Sequence, residues 1–230
     1  MPNNYVVTNG GIFVPDTPAD SMILQTIMLF RADKGLLDLR GNDIFDTKTV
    51  ALTSTYIKFG DSSAEFDGTT NKQLISSNGT GGQIKATTAA DQWCVEAWVY
   101  PISNVGNRAI CGNQGVVGGA GTFSMLINPS GQLVWSDNIV RVTTSQTVPL
   151  NQWSHVCVQK DGPTGATAWV NGLFDIQAAQ FGGNYNTTAG FSIGGRTDGT
   201  LPFRGGIDSV RVTKGIRYST NFTPAQFADH

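Results

Sequence analysis

Charge is scarce in this sequence, and so are the residue types that most often carry covalent or metal chemistry. Charged residues make up 14% of the 230, and 15 Lys and Arg against 17 Asp and Glu leave a formal net charge of −2. That balance lacks the basic surplus that nucleic acid or an acidic membrane surface would call for. Histidines number two, His155 and His230, which supplies a zinc site or a Ser–His–Asp triad poorly. Glutamates also number two, Glu65 and Glu96, on separate predicted strands, and no ExDxE or ExDxxE run exists. A glycoside hydrolase needs two carboxylates about 5 to 10 Å apart, so the sequence reads as non-enzymatic. The three cysteines, Cys94, Cys111 and Cys157, have no CxxC or metal spacing and are expected as reduced, buried thiols. The N-terminus, MPNNYVVTNGGIFVPDTPAD, lacks a basic segment followed by an apolar one, and residues 23–30 are too short to span a bilayer. The expectation is a product made in a cytoplasm without a signal peptide and without a membrane partner. In that setting the Asn-x-Thr sequons at Asn78, Asn186 and Asn221 carry little weight.

What is abundant is glycine, 28 residues, and short apolar runs separated by turn signals. Residues 1–20, rich in Asn, Pro and Gly, predict an extended arm in which 5–7 and 12–14 each add a short edge strand. From residue 21 to 230 the pattern predicts one all-β domain with strands at 23–30, 56–59, 63–66, 93–100, 122–127 and 132–136. The series continues at 140–144, 153–160, 166–170, 173–178, 190–193 and 207–213. Hairpin signals separate several of them: NPSG at 128–131, DGPTG at 161–165 and NG at 171–172. About a dozen short strands without an internal repeat favour a two-sheet antiparallel β-sandwich.

Three positions raise chemical questions. Trp98 and Tyr100 project opposite to Val95, Ala97 and Val99, together with Glu96, and form a candidate aromatic platform for sugars. His155 shares a strand face with Trp153 and Cys157 and reads as a packed, hydrogen-bonded imidazole. Asp208 interrupts the alternation of GGIDSVRVTKG: it falls in line with Val210 and Val212, while Ile207 falls with Ser209 and Arg211. Such a carboxylate must be paired, hydrogen-bonded to backbone amides, metal-bound, or turned outward by a bulge.

Seven segments in order carry a more specific likeness: KFGDSSAEFDG (58–68), WCVEAWVYP (93–101), INPSGQLVW (127–135), QWSHVCVQKDG (152–162), AWVNG (168–172), FSIGG (191–195) and GGIDSVRVTKGIRYSTNFTP (205–224). Together they resemble the laminin G-like jelly rolls of the concanavalin A-like lectin/glucanase superfamily, in the form frequent on bacteriophage virion proteins. The resemblance implies a jelly-roll sandwich whose C-terminus is clasped back by Tyr218, Phe222 and Pro224. It also implies a structural calcium ion, for which Asp208, Asp67 and Asp61 are the candidate ligands; backbone amides or an arginine are the simpler partners of Asp208. For function it implies a virion surface protein, a head decoration or tail-associated component. Such a protein would dock on other capsid or tail proteins through its N-terminal arm, contact host glycans, and act as a homo-oligomer or part of a larger assembly. The alternative is a carbohydrate-binding adhesion module. The chain departs from the phage pattern at RADKGLLDLRGNDIFDTKT (31–49), where relatives carry a short Asp-Ser-Ser-Gly loop, and at the glycine-rich GNQGVVGGAG (112–121).

Overall fold

Alternation decides the architecture. In WCVEAWVYP the residues Val95, Ala97 and Val99 are fully buried in the main core, which fixes one face of a central strand inward and leaves Cys94, Glu96 and Trp98 on the other. The computed structural model describes residues 5–7, 13–15, 20–40, 45–46, 49–76, 91–114, 122–137, 139–161, 165–178 and 190–228. Its strands are β1 (Tyr5–Val7), β2 (Phe13–Pro15), β3 (Thr26–Arg31), β4 (Phe45–Asp46), β5 (Ala51–Thr53), β6 (Ser63–Asp67), β7 (Leu74–Ser76), β8 (Gln92–Pro101) and β9 (Arg108–Gly112). They continue as β10 (Ser124–Ile127), β11 (Gln132–Ser136), β12 (Val140–Thr147), β13 (Ser154–Asp161), β14 (Ala166–Val170), β15 (Leu173–Ala178), β16 (Ser192–Ile193) and β17 (Arg204–Lys214).

Two antiparallel sheets face each other, as the sequence predicted. One runs β15-β14-β13-β8-β17-β6-β5, with β3 also pairing β17; the other runs β12-β11-β10-β9-β16-β7-β4. The long β17 uses Arg204–Ile207 to pair β6 and Ser209–Thr213 to pair β3, while its other edge follows β8. Between the sheets Val156, Val158, Val210 and Val212 meet Ile110, Met125, Ile127 and Ile193. At one end of this core Trp93 stacks on Trp135 with centroids 4.5 Å apart, and Trp135 on Phe123 at 4.4 Å. Truncating a buried aromatic of this kind typically costs about 3 to 5 kcal/mol, so this stack is a principal anchor between the sheets.

Three expectations need correction. Residues 23–30 do not start as a strand: Ile23–Gln25 form a 3₁₀ turn, with Leu24 exposed, because the carbonyl of Met22 accepts both the amide and the hydroxyl of Thr26. Residues 56–59 are not a strand, since the amides of Lys58 and Phe59 donate to a side chain instead of a ladder. The two N-terminal strands pair with each other, Val6 opposite Val14, and not with a sandwich edge. The rest of the expected arm, and most of the glycine-rich 112–121 stretch, lie outside the described residues.

Candidate functional site

The outward side chains of the larger sheet fall into rows that cross its strands. Trp169 on β14 lies opposite Cys157 on β13, Cys157 opposite Glu96 on β8, and Glu96 opposite Arg211 on β17. A neighbouring row sets Thr167 opposite Gln159, Gln159 opposite Cys94, and Cys94 opposite Thr213. A glutamate in the middle of an apolar strand requires compensation, and the sheet supplies it. Arg211 Nε donates to Glu96 Oε1 at 2.8 Å, Arg217 Nε lies 3.3 Å from the same oxygen, and His155 Nε2 and the Tyr218 hydroxyl donate to Oε2 at 2.9 and 2.8 Å. Asp20 completes the network: its carboxylate meets Arg211 Nη1 at 2.8 Å and Arg217 Nη2 at 2.6 Å. Burial opposes ionisation of Glu96, but Arg211, His155 and Arg217 together outweigh it and hold the carboxyl below its usual range. Burial and the adjacent Glu96 charge push the Tyr218 phenol up, so it stays a donor.

The segment after β17 covers this network. Tyr218 and Phe222 stack with centroids 3.6 Å apart over the Trp169, Cys94 and Cys157 cluster, and Phe227 sits under the Arg211 guanidinium at 4.1 Å. Gln159 fastens the turn, its Oε1 accepting the amides of Arg217 and Tyr218 and its Nε2 donating to the Tyr218 carbonyl. The tail does not seal the whole face. Beside it remains a pocket of about 280 Å³ between β13, β14, β15 and the tail, walled by Trp169, Phe174 and Tyr218 and carrying Gln159, Asp161 and Thr167. Trp169 Nε1 and Thr167 Oγ1, both in buried side chains of this lining, have no hydrogen-bond partner among the described residues. Phe174 is 48% exposed at the rim.

The sequence-based candidates land elsewhere. Trp98 is buried: Phe59 packs edge-on at 5.4 Å, the Lys58 ammonium lies 4.2 Å above its ring, and its indole donates to the Ala225 carbonyl. The tail covers it, so Trp98 and Tyr100 do not form an open platform together. Tyr100 is half-buried at the strand end, stacked on Tyr56 at 4.8 Å with Trp153 edge-on. His155 is the packed imidazole expected, bonded to Glu96.

Asp208 sits at a bulge, for the register against β8 slips between Ile207 and Ser209. The bulge resets the alternation, so Ile207 enters the same core as Val210 and Val212, against the sequence expectation. Asp208 nevertheless stays buried and accepts from the amides of Lys58 and Phe59 and from the Ser209 hydroxyl at 3.2, 3.0 and 2.8 Å. The proposed calcium partners are apart from it. Asp67, opposite Arg204, accepts from Lys72 Nζ, which with the Thr69 amide holds its carboxyl down at about 2. Asp61 is exposed and meets only the neighbouring Ser62 hydroxyl among the bonds seen. Among the described residues no group of three or more His, Cys, Asp or Glu side chains is placed to hold a metal ion, so this set does not fit a calcium ion.

Comparison with known proteins agrees with the architecture. Domain 4 of AbnA, a GH43 extracellular arabinanase from Geobacillus stearothermophilus solved in complex with arabinotriose, superposes with a TM-score of 0.62 at 19% identity, over 83% of this chain and 93% of that one. The binding domain of Paraclostridial Mosquitocidal Protein 1 gives 0.57 at 13% identity, over 85% of this chain and 49% of that one. The botulinum neurotoxin serotype G binding domain gives 0.60 at 9% identity, over 84% and 48%. The chain thus spans about half the length of the two toxin domains, and at these identities the likeness is one of fold. No curated protein matches this sequence. A sequence profile described as the concanavalin A-like lectin/glucanases superfamily matches residues 67–220, well over half the chain, and with the sandwich it establishes that the chain belongs to that superfamily.

Proposed function

We propose that the protein is a carbohydrate-binding module that captures a sugar residue, without cleaving it, in the pocket between β13, β14, β15 and the C-terminal tail. The pocket itself carries this reading. Aromatic walls accept the apolar C–H face of a sugar ring, and the polar atoms between them accept and donate hydroxyl hydrogen bonds. A buried polar atom left without a partner costs about 1 to 3 kcal/mol, so Trp169 Nε1 and Thr167 Oγ1 reward a ligand rich in hydroxyls. The arabinotriose-bound domain of AbnA shares the fold, which supports the class of ligand. The virion-surface expectation comes from the sequence resemblance, whereas the solved relatives support its adhesion-module alternative, the reading developed here.

Hydrolysis does not suit the geometry. Asp161 is the one carboxylate among the described lining residues, and Glu96 behind Tyr218 is clamped by Arg211 and His155. Screening on a glycan array, followed by calorimetry on the best ligand, tests the proposal. Phe174→Ala should lower affinity at least about tenfold with an unchanged melting temperature, because the ring is at the rim. Glycan binding unaffected by Phe174→Ala would remove the pocket from the function, and release of reducing sugar would remove the non-catalytic reading.

A further inference from the structure

We propose that Cys94 and Cys157 form a modification site, where a small-molecule disulfide oxidises the two thiols to an intrachain bridge between β8 and β13 once the C-terminal tail lifts. The inference stands on the sheet beneath the tail and is independent of the glycan-binding reading. Register brings the pair together. Cys94 lies opposite Gln159 and Cys157 opposite Glu96, so the two cysteines are diagonal neighbours on adjacent strands, on the outward face of the larger sheet. Their sulfurs are 3.4 Å apart and share an S–H···S contact, although 63 positions separate them in the chain. A disulfide spans about 2.0 Å, so the two sulfurs have about 1.4 Å left to close between them, the scale of a side-chain rotation with a slight shift of the strands. The third thiol, Cys111, lies on β9 in the other sheet and packs into the main core.

Access sets the condition. Both thiols are fully buried and pack with Trp169 under Tyr218 and Phe222 of the tail. Burial, then the contact with Cys94 and the Glu96 charge, push the Cys157 thiol up, and a protonated thiol is a poor nucleophile. The closed tail thus keeps the pair reduced. The Phe222 amide donates to the Gly172 carbonyl, which makes the Asn171–Gly172 turn a latch for the tail. When the tail lifts, water reaches the sulfurs and a thiolate forms. That thiolate attacks one sulfur of the external disulfide, and the other half leaves as a thiolate that takes up the proton. The second cysteine, losing its own proton, then attacks the mixed disulfide and expels the remaining half as a second thiol. Two protein thiols are oxidised to one disulfide, and one external disulfide is reduced to two thiols. The bridge closes a long loop between two central strands and so restricts the unfolded chain. The dithiol belongs to reducing surroundings and the bridge to oxidising ones.

Oxidised glutathione is the probe, with thiols counted in denaturant and unreduced peptides mapped by mass spectrometry. The folded wild-type protein should go from three free thiols to one. The bridge should link the Cys94 and Cys157 peptides and leave Cys111 free, and dithiothreitol should restore all three thiols. The melting temperature of the bridged form should rise by about 5 °C or more, a gain absent from Cys94→Ser and Cys157→Ser treated alike. Gly172→Ala should form the bridge about tenfold faster than wild type. Wild type itself should react faster in urea well below its unfolding midpoint, a second measure of gating that does not depend on the variant folding. Three thiols persisting in wild type under that urea overturn the site, as do stable glutathione adducts on Cys94 or Cys157, or a link to Cys111. A bridge without a rise in melting temperature overturns its stabilising role, and a rate that neither urea nor Gly172→Ala increases overturns gating by the tail.

Discussion

At the scale of single residues, two buried carboxylates in this fold behave oppositely. Asp208 has amides and a hydroxyl for partners, and burial, only partly offset by the Phe59, Ser209 and Lys58 contacts, raises its pKa. Asp208→Ala should cost about 2 to 4 kcal/mol, because two amides lose their acceptor. Asp208→Asn keeps an acceptor oxygen and should cost about 1 kcal/mol. Wild-type melting curves in millimolar Ca²⁺ and in chelator should coincide; a chelator-dependent drop would restore a metal role to this carboxylate. Glu96 is held below its ordinary value of 4.5 by Arg211, His155 and Arg217 in spite of burial, and Asp20 is also lowered. A depressed folded-state pKa contributes stability that is complete above the unfolded value and is lost as pH falls from there towards the folded one. Asp208, raised, regains stability on protonation and opposes that loss. Denaturant titrations from pH 7 down to about 3 should therefore show a decline setting in below about pH 4.5. In Glu96→Gln the decline should be shallower, on a protein already weaker by about 3 to 5 kcal/mol at pH 7 because Arg211 has lost a buried partner. An equally steep decline in that variant would place the acid sensitivity elsewhere.

At the scale of elements, the Asn171–Gly172 turn shows how local sequence and long-range packing can demand the same residue. Both positions have positive φ, 53° and 76°, the signature of the tight hairpin that NG predicts between β14 and β15. Gly172 also receives the tail, its carbonyl accepting the Phe222 amide at 2.9 Å, and a Cβ there would lie 2.0 Å from the Phe222 carbonyl oxygen. Gly172→Ala should cost about 2 to 4 kcal/mol and shift tryptophan fluorescence to the red as the tail lifts from Trp98 and Trp169. Gly106→Ala, also at positive φ but with nothing within 4 Å, is the control and should cost about 1 kcal/mol. The turn and the inward faces of β8 and β13 were legible because each rests on contiguous residues. The segment 56–59 was misread since Tyr56, Ile57 and Phe59 look like a strand, and no local signal says that the amides of Lys58 and Phe59 are promised to Asp208. A period-2 count cannot distinguish an inserted residue from an inward polar one, which hid the bulge. The short β9, RAICG, lay among turn residues and escaped for the same want of length. The pocket was hidden more deeply. Trp169, Asp161 and Tyr218 lie in segments read as strand, hairpin and clasp, and only the pairing of β13 with β14 and the return of the tail bring them together.

At the scale of the whole molecule, the two ends of the sandwich are joined on one face, since Asp20 grips two arginines that flank the Glu96 carboxylate while the C-terminal tail lies across them. The Arg217 backbone leads directly into Tyr218, a pocket wall, so the N-terminal boundary of the sandwich is mechanically linked to the proposed sugar pocket. The expected boundary after residue 20 would leave this carboxylate with the arm; the hydrogen bond from the Met22 amide to Asp20 Oδ1 and the two arginines attach it to the sandwich. Removing residues 1–19 should therefore leave the melting temperature near that of the full chain. Removing residues 1–22 should lower stability by about 1 to 3 kcal/mol, because Arg211 and Arg217 then share Glu96 alone in a setting that screens them little. The same truncation should weaken sugar binding a few-fold, about 1 kcal/mol or less, as Tyr218 gains freedom, whereas Phe174→Ala weakens binding without destabilising. Thermal melts and calorimetry on the two truncated chains separate the cases. If the shorter chain matches the longer in both stability and affinity, Asp20 is a bystander and the clasp holds by its aromatics alone. If the chain beginning at Asp20 already unfolds, the arm is part of the sandwich, and the paired β1 and β2 contribute to its stability.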